Sequence, residues 1–103
     1  FKESNLGIIN DPQSYRAGCI IGSGMGGLPG IEETSLSFNS GKRISPFFIT
    51  GRIINMSAGY LSIKYNLKGP NSSPVTACAT GTHAIGDSFT LIKNNNLITI
   101  LEI

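Results

Sequence analysis

Charge is scarce in this chain, and so are the features that would place it in a membrane or outside the cell. Only 14% of the 103 residues are charged, and eight Lys and Arg against six Asp and Glu leave a formal net charge of +2. That excess is too small to imply nucleic acid or an acidic membrane surface as a partner. No apolar run approaches the ~20 residues that a transmembrane helix needs. No basic-then-apolar leader opens the chain, so nothing points to secretion. Cysteine is limited to Cys19 and Cys78. These two could in principle pair, but the flanks of Cys19 read as a strand and those of Cys78 as a reactive turn. Free thiols in a reducing cytoplasm are therefore expected. Repeats and linkers are missing too. A chain of this length makes at most one small domain, burying about two-thirds of its unfolded surface. It starts at Phe1 rather than Met, which suggests a partial sequence.

What is present has an α/β rhythm. Residues 1–13 read as irregular or as a frayed helix end. Arg16 to Ile21 is a short apolar run ending at glycine, the pattern of a buried strand. Gly22 to Gly30 is a glycine-dense turn, and Ile31 to Phe38 a short helix. Asn39-Ser40-Gly41 marks a loop. Thr50-Gly51-Arg52 is expected to cap a helix running to about Tyr65, with Ile54, Ala58, Leu61 and Tyr65 on one face. Gly69-Pro70-Asn71 stops it, and Leu97 to Ile103 is a β-prone tail.

The most informative residue is Cys78, in Val75-Thr76-Ala77-Cys78-Ala79-Thr80-Gly81-Thr82-His83. A short β-type run here gives way to a helical pattern, with Ile85, Phe89 and Ile92 at helical spacing, so a helix is expected to begin just after the cysteine. A thiol at a helix N-terminus meets unpaired backbone N–H groups and the positive end of the macrodipole, a setting that favours thiolate over thiol. Ala77, Ala79 and Gly81 keep the neighbourhood small enough for a substrate carbonyl to approach. The bland alternative is a buried structural cysteine.

Two other patterns weigh less. Gly22, Gly24 and Gly27 spell G-x-G-x-x-G after a strand, the outline of a dinucleotide fingerprint. Pro29-Gly30 interrupts the helix expected next, and the acidic residue wanted about twenty positions on is missing. A tight turn with close backbone packing explains the glycines as well. His83 invites a Cys–His pair. Five residues along a helix, however, is about 500° of rotation and about 7.5 Å of rise, which puts the ring roughly 140° around the barrel from Cys78. Packing, or support of the site from one step away, is the reading its position favours.

From Arg16 to about Asn96 the chain resembles the β-ketoacyl-acyl carrier protein synthases, most closely their synthase II branch. The residues that carry the resemblance are Arg16-Ala17-Gly18 leading into Ile20-Ile21-Gly22-Ser23-Gly24-Met25-Gly26-Gly27-Leu28, then Arg43-Ile44-Ser45-Pro46-Phe47-Phe48, Gly69-Pro70-Asn71, and Thr76 through Gly86. Their order and spacing are far more specific than any one block. The resemblance implies an α/β fold, here a fragment of the thiolase-like five-layer αβαβα sandwich. Residues 1–103 would then be part of the N-terminal half of the synthase domain, including the nucleophile turn, with 97–103 an atypical tail.

The same resemblance implies fatty acid biosynthesis by two half-reactions at one cysteine. Cys78 takes an acyl chain from the phosphopantetheine arm of acyl carrier protein. The acyl-enzyme then condenses with malonyl-acyl carrier protein to give a β-ketoacyl product, with no cofactor or metal of the enzyme's own. Met25 matches the residue that gates the acyl pocket, or else fills core. Phe48 matches one that reaches the partner subunit's acyl pocket in the family's homodimer. Lys42 and Arg43 match a basic pair that meets the acidic carrier protein, although such a pair is more often just a solvated loop. The family's two catalytic histidines and its lysine lie well downstream of the cysteine, so this length alone is expected to lack turnover. Pro74 stands where the family has an apolar strand residue; a proline removes a ladder N–H, which puts the dimer in doubt. Alternatives are a sibling condensing enzyme (synthase I or a polyketide ketosynthase), a non-catalytic remnant of a truncated or frame-shifted gene, and a nucleotide-binding module.

Overall fold

The computed structural model describes residues 10–95, 97 and 99–102. At its centre lies β1 (Ala17–Ile20), whose four residues are all buried. An unbroken apolar strand of this kind suits a position with neighbours on both edges. It has them. β2 (Asn71–Ser72) runs parallel to it on one side, Cys19 opposite Asn71 and Ile20 opposite Ser72. On the other side β3 (Thr99–Glu102) is also parallel, from Ala17 opposite Thr99 to Ile20 opposite Glu102. The order is therefore β2-β1-β3; β1 and β3 fall where the apolar run and the β-prone tail were read, while β2 was not foreseen. The expectation for residues 1–9 lies outside the described residues.

Parallel strands need long crossovers, and helices supply them. α1 (Leu28–Asn39) and α2 (Met56–Tyr65) connect β1 to β2, and α3 (Thr80–Asn95) connects β2 to β3. α1 begins three residues earlier than its apolar spacing suggests. Pro29 falls in its first turn, where the missing N–H has no intrahelical partner to lose, so the proline starts the helix instead of interrupting it. Gly27 precedes it with φ of 69°, a left-handed conformation that costs an L residue roughly 1–2 kcal/mol.

α2 begins later than expected, at Met56. The hydroxyl of Thr50 donates back to Phe47 O at 3.1 Å instead of accepting a forward N–H, so it closes a turn and caps no helix. Helix-like bonds run through this stretch (Ile53 N–H to Ile49 O, 3.1 Å), but regular helix waits for Met56. The end falls at Tyr65 as expected, but what closes it is Asn66, which adopts φ 58° and donates its N–H to Ser62 O, a left-handed cap placed before Gly69-Pro70. The predicted face is nevertheless the one used. Ala58 is buried with Ala17, Cys19, Ile21 and Leu67, and Leu61 and Tyr65 pack against that cluster.

β2 ends at Ser72, so Pro74 stands outside the ladder and removes no strand hydrogen bond. A clamp joins the start of the described chain to the α2–β2 link. Lys68 Nζ lies 3.0 Å from Asp11 Oδ2 and 5.0 Å above the Tyr15 ring, and its backbone N–H donates to Ser14 O at 2.8 Å. The Ser14 hydroxyl, and after it the Lys68 ammonium, hold the Asp11 carboxyl below its ordinary value. Lys68 is raised in return, chiefly by its bond to Asp11.

Candidate active site

After β2 the chain passes through Ser73 to Val75 and turns sharply into α3. Thr76 has φ −133° and ψ 43°, and Ala77 has φ 51°. A left-handed alanine is disfavoured by roughly 1–2 kcal/mol, so neighbouring contacts must hold it. Thr80 supplies two of them. Its hydroxyl accepts the Thr76 N–H at 2.9 Å and donates to Ala77 O at 2.7 Å, and the residue is buried. Ala79 N–H donates to Thr76 O at 3.0 Å, closing a 3-10 turn over Ala77–Ala79 that runs straight into α3. Cys78 sits on the crest of this turn and is exposed. Its backbone leads directly to the positive end of a 16-residue helix. Cys19, by contrast, lies buried in β1, where burial pushes its thiol pKa up.

The glycine loop between β1 and α1 is packed against this turn. A Cβ on Gly22 would lie 2.6 Å from Pro74 O and overlap the Thr80 methyl. One on Gly24 would lie 3.2 Å from Ala77 O, and one on Gly27 2.6 Å from Arg52 O. The glycines thus leave room for the chain's own backbone. The space a pyrophosphate would need beside Gly22 and Gly24 is filled by Pro74, Ala77 and Thr80.

Met25, one step beyond Gly24, is 69% exposed and its carbonyl accepts the Ser23 hydroxyl at 2.8 Å. The loop packing therefore brings Met25 to the neighbourhood of the cysteine turn. Phe48 is half-buried in the turns before α2, with the Arg52 guanidinium 5.6 Å from its ring centroid. Lys42 and Arg43 are exposed just after α1, and the Lys42 N–H donates to Ser37 O at 3.1 Å, which ties the pair to the helix's negative end. Among the described residues no contact joins Phe48, Lys42 or Arg43 to Cys78. No cluster of three or more metal-ligating side chains occurs among them, and no helix among the described residues is long and apolar enough to cross a membrane.

The family model for the β-ketoacyl synthase N-terminal domain matches residues 4–100. The chain belongs to the β-ketoacyl synthase family. It is 52% identical over 90 residues to 3-oxoacyl-(acyl-carrier-protein) synthase 2 of Coxiella burnetii, a match covering 85% of this chain and 22% of that protein. The enzyme of the same name from Rhizobium meliloti is 53% identical over 85 residues, covering 81% and 20%. A 3-oxoacyl-(acyl-carrier-protein) synthase homolog of Saccharomyces cerevisiae is 52% identical over 77 residues, covering 74% and 17%. The chain thus spans about a fifth of the length of the curated relatives it matches. The crystal structure of a β-ketoacyl synthase from Burkholderia phymatum superposes with a TM-score of 0.71 at 23% identity, over 89% of this chain and 23% of that one. The fold is accordingly a mixed α/β piece of the thiolase-like sandwich.

In this member of the family, three side chains matter to the site that sequence patterns did not single out. Thr76 and Thr80 flank Cys78 with a spacing of four, which a capping search keyed to the expected helix start overlooks. Asp87 lies one turn beyond His83, and its Oδ2 is 3.2 Å from His83 Nε2. His83 Nδ1 in turn is 3.2 Å from Thr76 Oγ1. The imidazole is engaged at both nitrogens, by Thr76 and Asp87.

Proposed function

We propose that these residues carry the acyl-accepting part of a β-ketoacyl-acyl carrier protein synthase of fatty acid biosynthesis, with Cys78 as nucleophile. One observation supports this above the others: an exposed cysteine on a braced, left-handed turn at the start of a long helix, while the second cysteine is buried. The Cys78 thiolate attacks the thioester carbonyl of an acyl chain on a phosphopantetheine arm. The tetrahedral intermediate expels the phosphopantetheine thiolate, which takes up a proton, and the acyl group stays on Cys78. Backbone N–H groups at this turn, that of Cys78 included, are the natural donors for the oxyanion. Malonyl-acyl carrier protein then loses carbon dioxide, and its α-carbon attacks the Cys78 thioester, forming the carbon–carbon bond and releasing the thiolate.

The substrate brings its own phosphopantetheine, so the reading requires no resident cofactor. Acyl carrier protein is the partner, a choice supported by the names of the Coxiella and Rhizobium relatives. Lys42 and Arg43 form its docking pair. Met25 gates the acyl chain, and Phe48 faces the acyl pocket of a second subunit in a homodimer. Two free cysteines suit the reducing cytoplasm.

The test is to incubate the protein with acyl-acyl carrier protein and map the adduct by peptide mass. Acylation on Cys78, abolished in Cys78→Ala and absent from Cys19, is expected. A folded chain that takes acyl at Cys19, or at neither thiol, would overturn the reading and favour a non-catalytic remnant.

A further inference from the structure

We propose that His83 is a positioning residue for Cys78, acting through Thr76 and itself held by Asp87. The inference rests on Cys78 being the acyl-accepting thiol. The carboxylate of Asp87 can only accept, so the ring nitrogen facing it, Nε2 at 3.2 Å, carries the hydrogen. In a neutral imidazole Nδ1 is then the acceptor, and the Thr76 hydroxyl donates to it across 3.2 Å. The result is one directed chain, from Thr76 O–H to His83 and from His83 N–H to Asp87.

Thr76 is the residue on which the turn depends. It immediately precedes the left-handed Ala77 and lies two positions before Cys78. Its backbone is held from inside by Thr80, whose buried hydroxyl accepts its N–H. Its side chain is held from outside by His83. Threonine is β-branched, so a fixed χ1 also restricts its own backbone. With both holds in place, the Thr76–Ala77 peptide cannot rotate to relieve the unfavourable φ of Ala77, and Cys78 stays at the entrance to α3. With the outer hold removed, that rotation becomes accessible and carries the thiol away from the helix N-terminus. His83 and Asp87 both sit on α3 itself, so the outer hold references the turn to the helix that activates the cysteine.

The experiment measures, on the intact protein, the second-order rate of Cys78 alkylation by iodoacetamide and of its acylation by acyl-acyl carrier protein, beside the melting temperature. Thr76→Val removes the hydroxyl and His83→Ala removes the acceptor. Each should slow both reactions about fivefold, the equivalent of one lost hydrogen bond. The double variant should be no slower than either single, because both remove the same contact. Thr76→Ser restores the donor, and His83→Asn places an amide oxygen where Nδ1 stood; both should recover most of the rate. Asp87→Asn, which keeps an acceptor for Nε2–H, should stay near the parent, while Asp87→Ala should fall toward His83→Ala. If Thr76→Val fails to fold, the Asp87 and His83 pairs still decide. Unchanged alkylation in His83→Ala and Asp87→Ala would refute the positioning role, as would equal slowing by the conservative and disruptive members of each pair. A parent protein that alkylates at Cys78 but takes no acyl group there would instead sink the functional reading, with the alkylation series still reporting on the turn.

Discussion

Replacing Gly22 by alanine adds a single methyl group at the point where the glycine loop presses on the cysteine turn. Gly22 is not in a left-handed conformation, so the backbone itself tolerates alanine; the difficulty is space. The new Cβ would stand 2.6 Å from Pro74 O and 3.2 Å from Pro74 Cγ, and would overlap the Thr80 methyl. Ordinary carbon contacts need about 3.5 Å or more, so loop and turn must part by roughly an ångström or one of them must rotate. Pro74 O is backbone, and Thr80 is 5% exposed and tied by two hydrogen bonds, so neither gives way freely. Overpacking of this kind costs about 1–3 kcal/mol. The displaced group is the one that braces Ala77, so reactivity falls together with stability. Urea unfolding should show the unfolding free energy lowered by that amount, and iodoacetamide should label Cys78 several-fold more slowly than in the parent. Gly86→Ala is the matched control. It lies in α3 with nothing within 4 Å of its added carbon, and should gain about 0.5–1 kcal/mol from reduced backbone freedom in the unfolded chain. A Gly22→Ala protein as stable and as reactive as the parent would refute the claim that this glycine exists to let the turn close.

Charge reversal of Lys42 and Arg43 to glutamate should weaken acyl carrier protein binding, mainly through the association rate and most at low salt. Reaction with a short soluble thioester should be unchanged; equal losses with both substrates would make the pair structural. Asp11, whose carboxyl is held below its ordinary 3.8 by Ser14 and then Lys68, contributes stability that is present above 3.8 and lost as pH falls through the lower folded value. Asp11→Asn should therefore flatten the acid side of a stability-against-pH curve, and a parallel curve would discount the clamp. A polypeptide of these 103 residues, whose one histidine is His83, should release no β-ketoacyl product from malonyl-acyl carrier protein, since both of its ring nitrogens are already engaged. Chromatography of the reaction mixture decides this.

Local patterns announced some of these features and concealed others for physical reasons. β1 was legible because a strand buried on both faces needs an unbroken apolar run, and Ala17 to Ile21 is one. The helix after Cys78 showed in the spacing of Ile85, Phe89 and Ile92. The start of α1 did not, because none of its residues is buried and its periodicity is correspondingly weak; Pro29 then looked like a breaker when it is a starter. The start of α2 was misplaced because Thr50 is a good capping residue whose hydroxyl turns backward in this chain. The strand-to-helix pattern alone pointed to Cys78, and resemblance to a family added Met25, Phe48, Lys42 and Arg43. The contact of His83 with Thr76 could come from neither source, since it exists only once the chain has reversed direction at Ala77.

The position of β1 between β2 and β3 also has a temporal side. Its partners are synthesised long after it: about 50 residues separate Ile20 from Ser72 and about 80 separate it from Glu102. At ribosomal speeds of ~5–20 residues per second, the second edge of β1 waits about 4–16 s for its neighbour. Throughout that interval a run of apolar side chains and one row of backbone donors and acceptors remain open to other nascent chains. Such non-local pairing is slow to nucleate even after release. Of the three described strands, the middle one is thus the first made and the last completed.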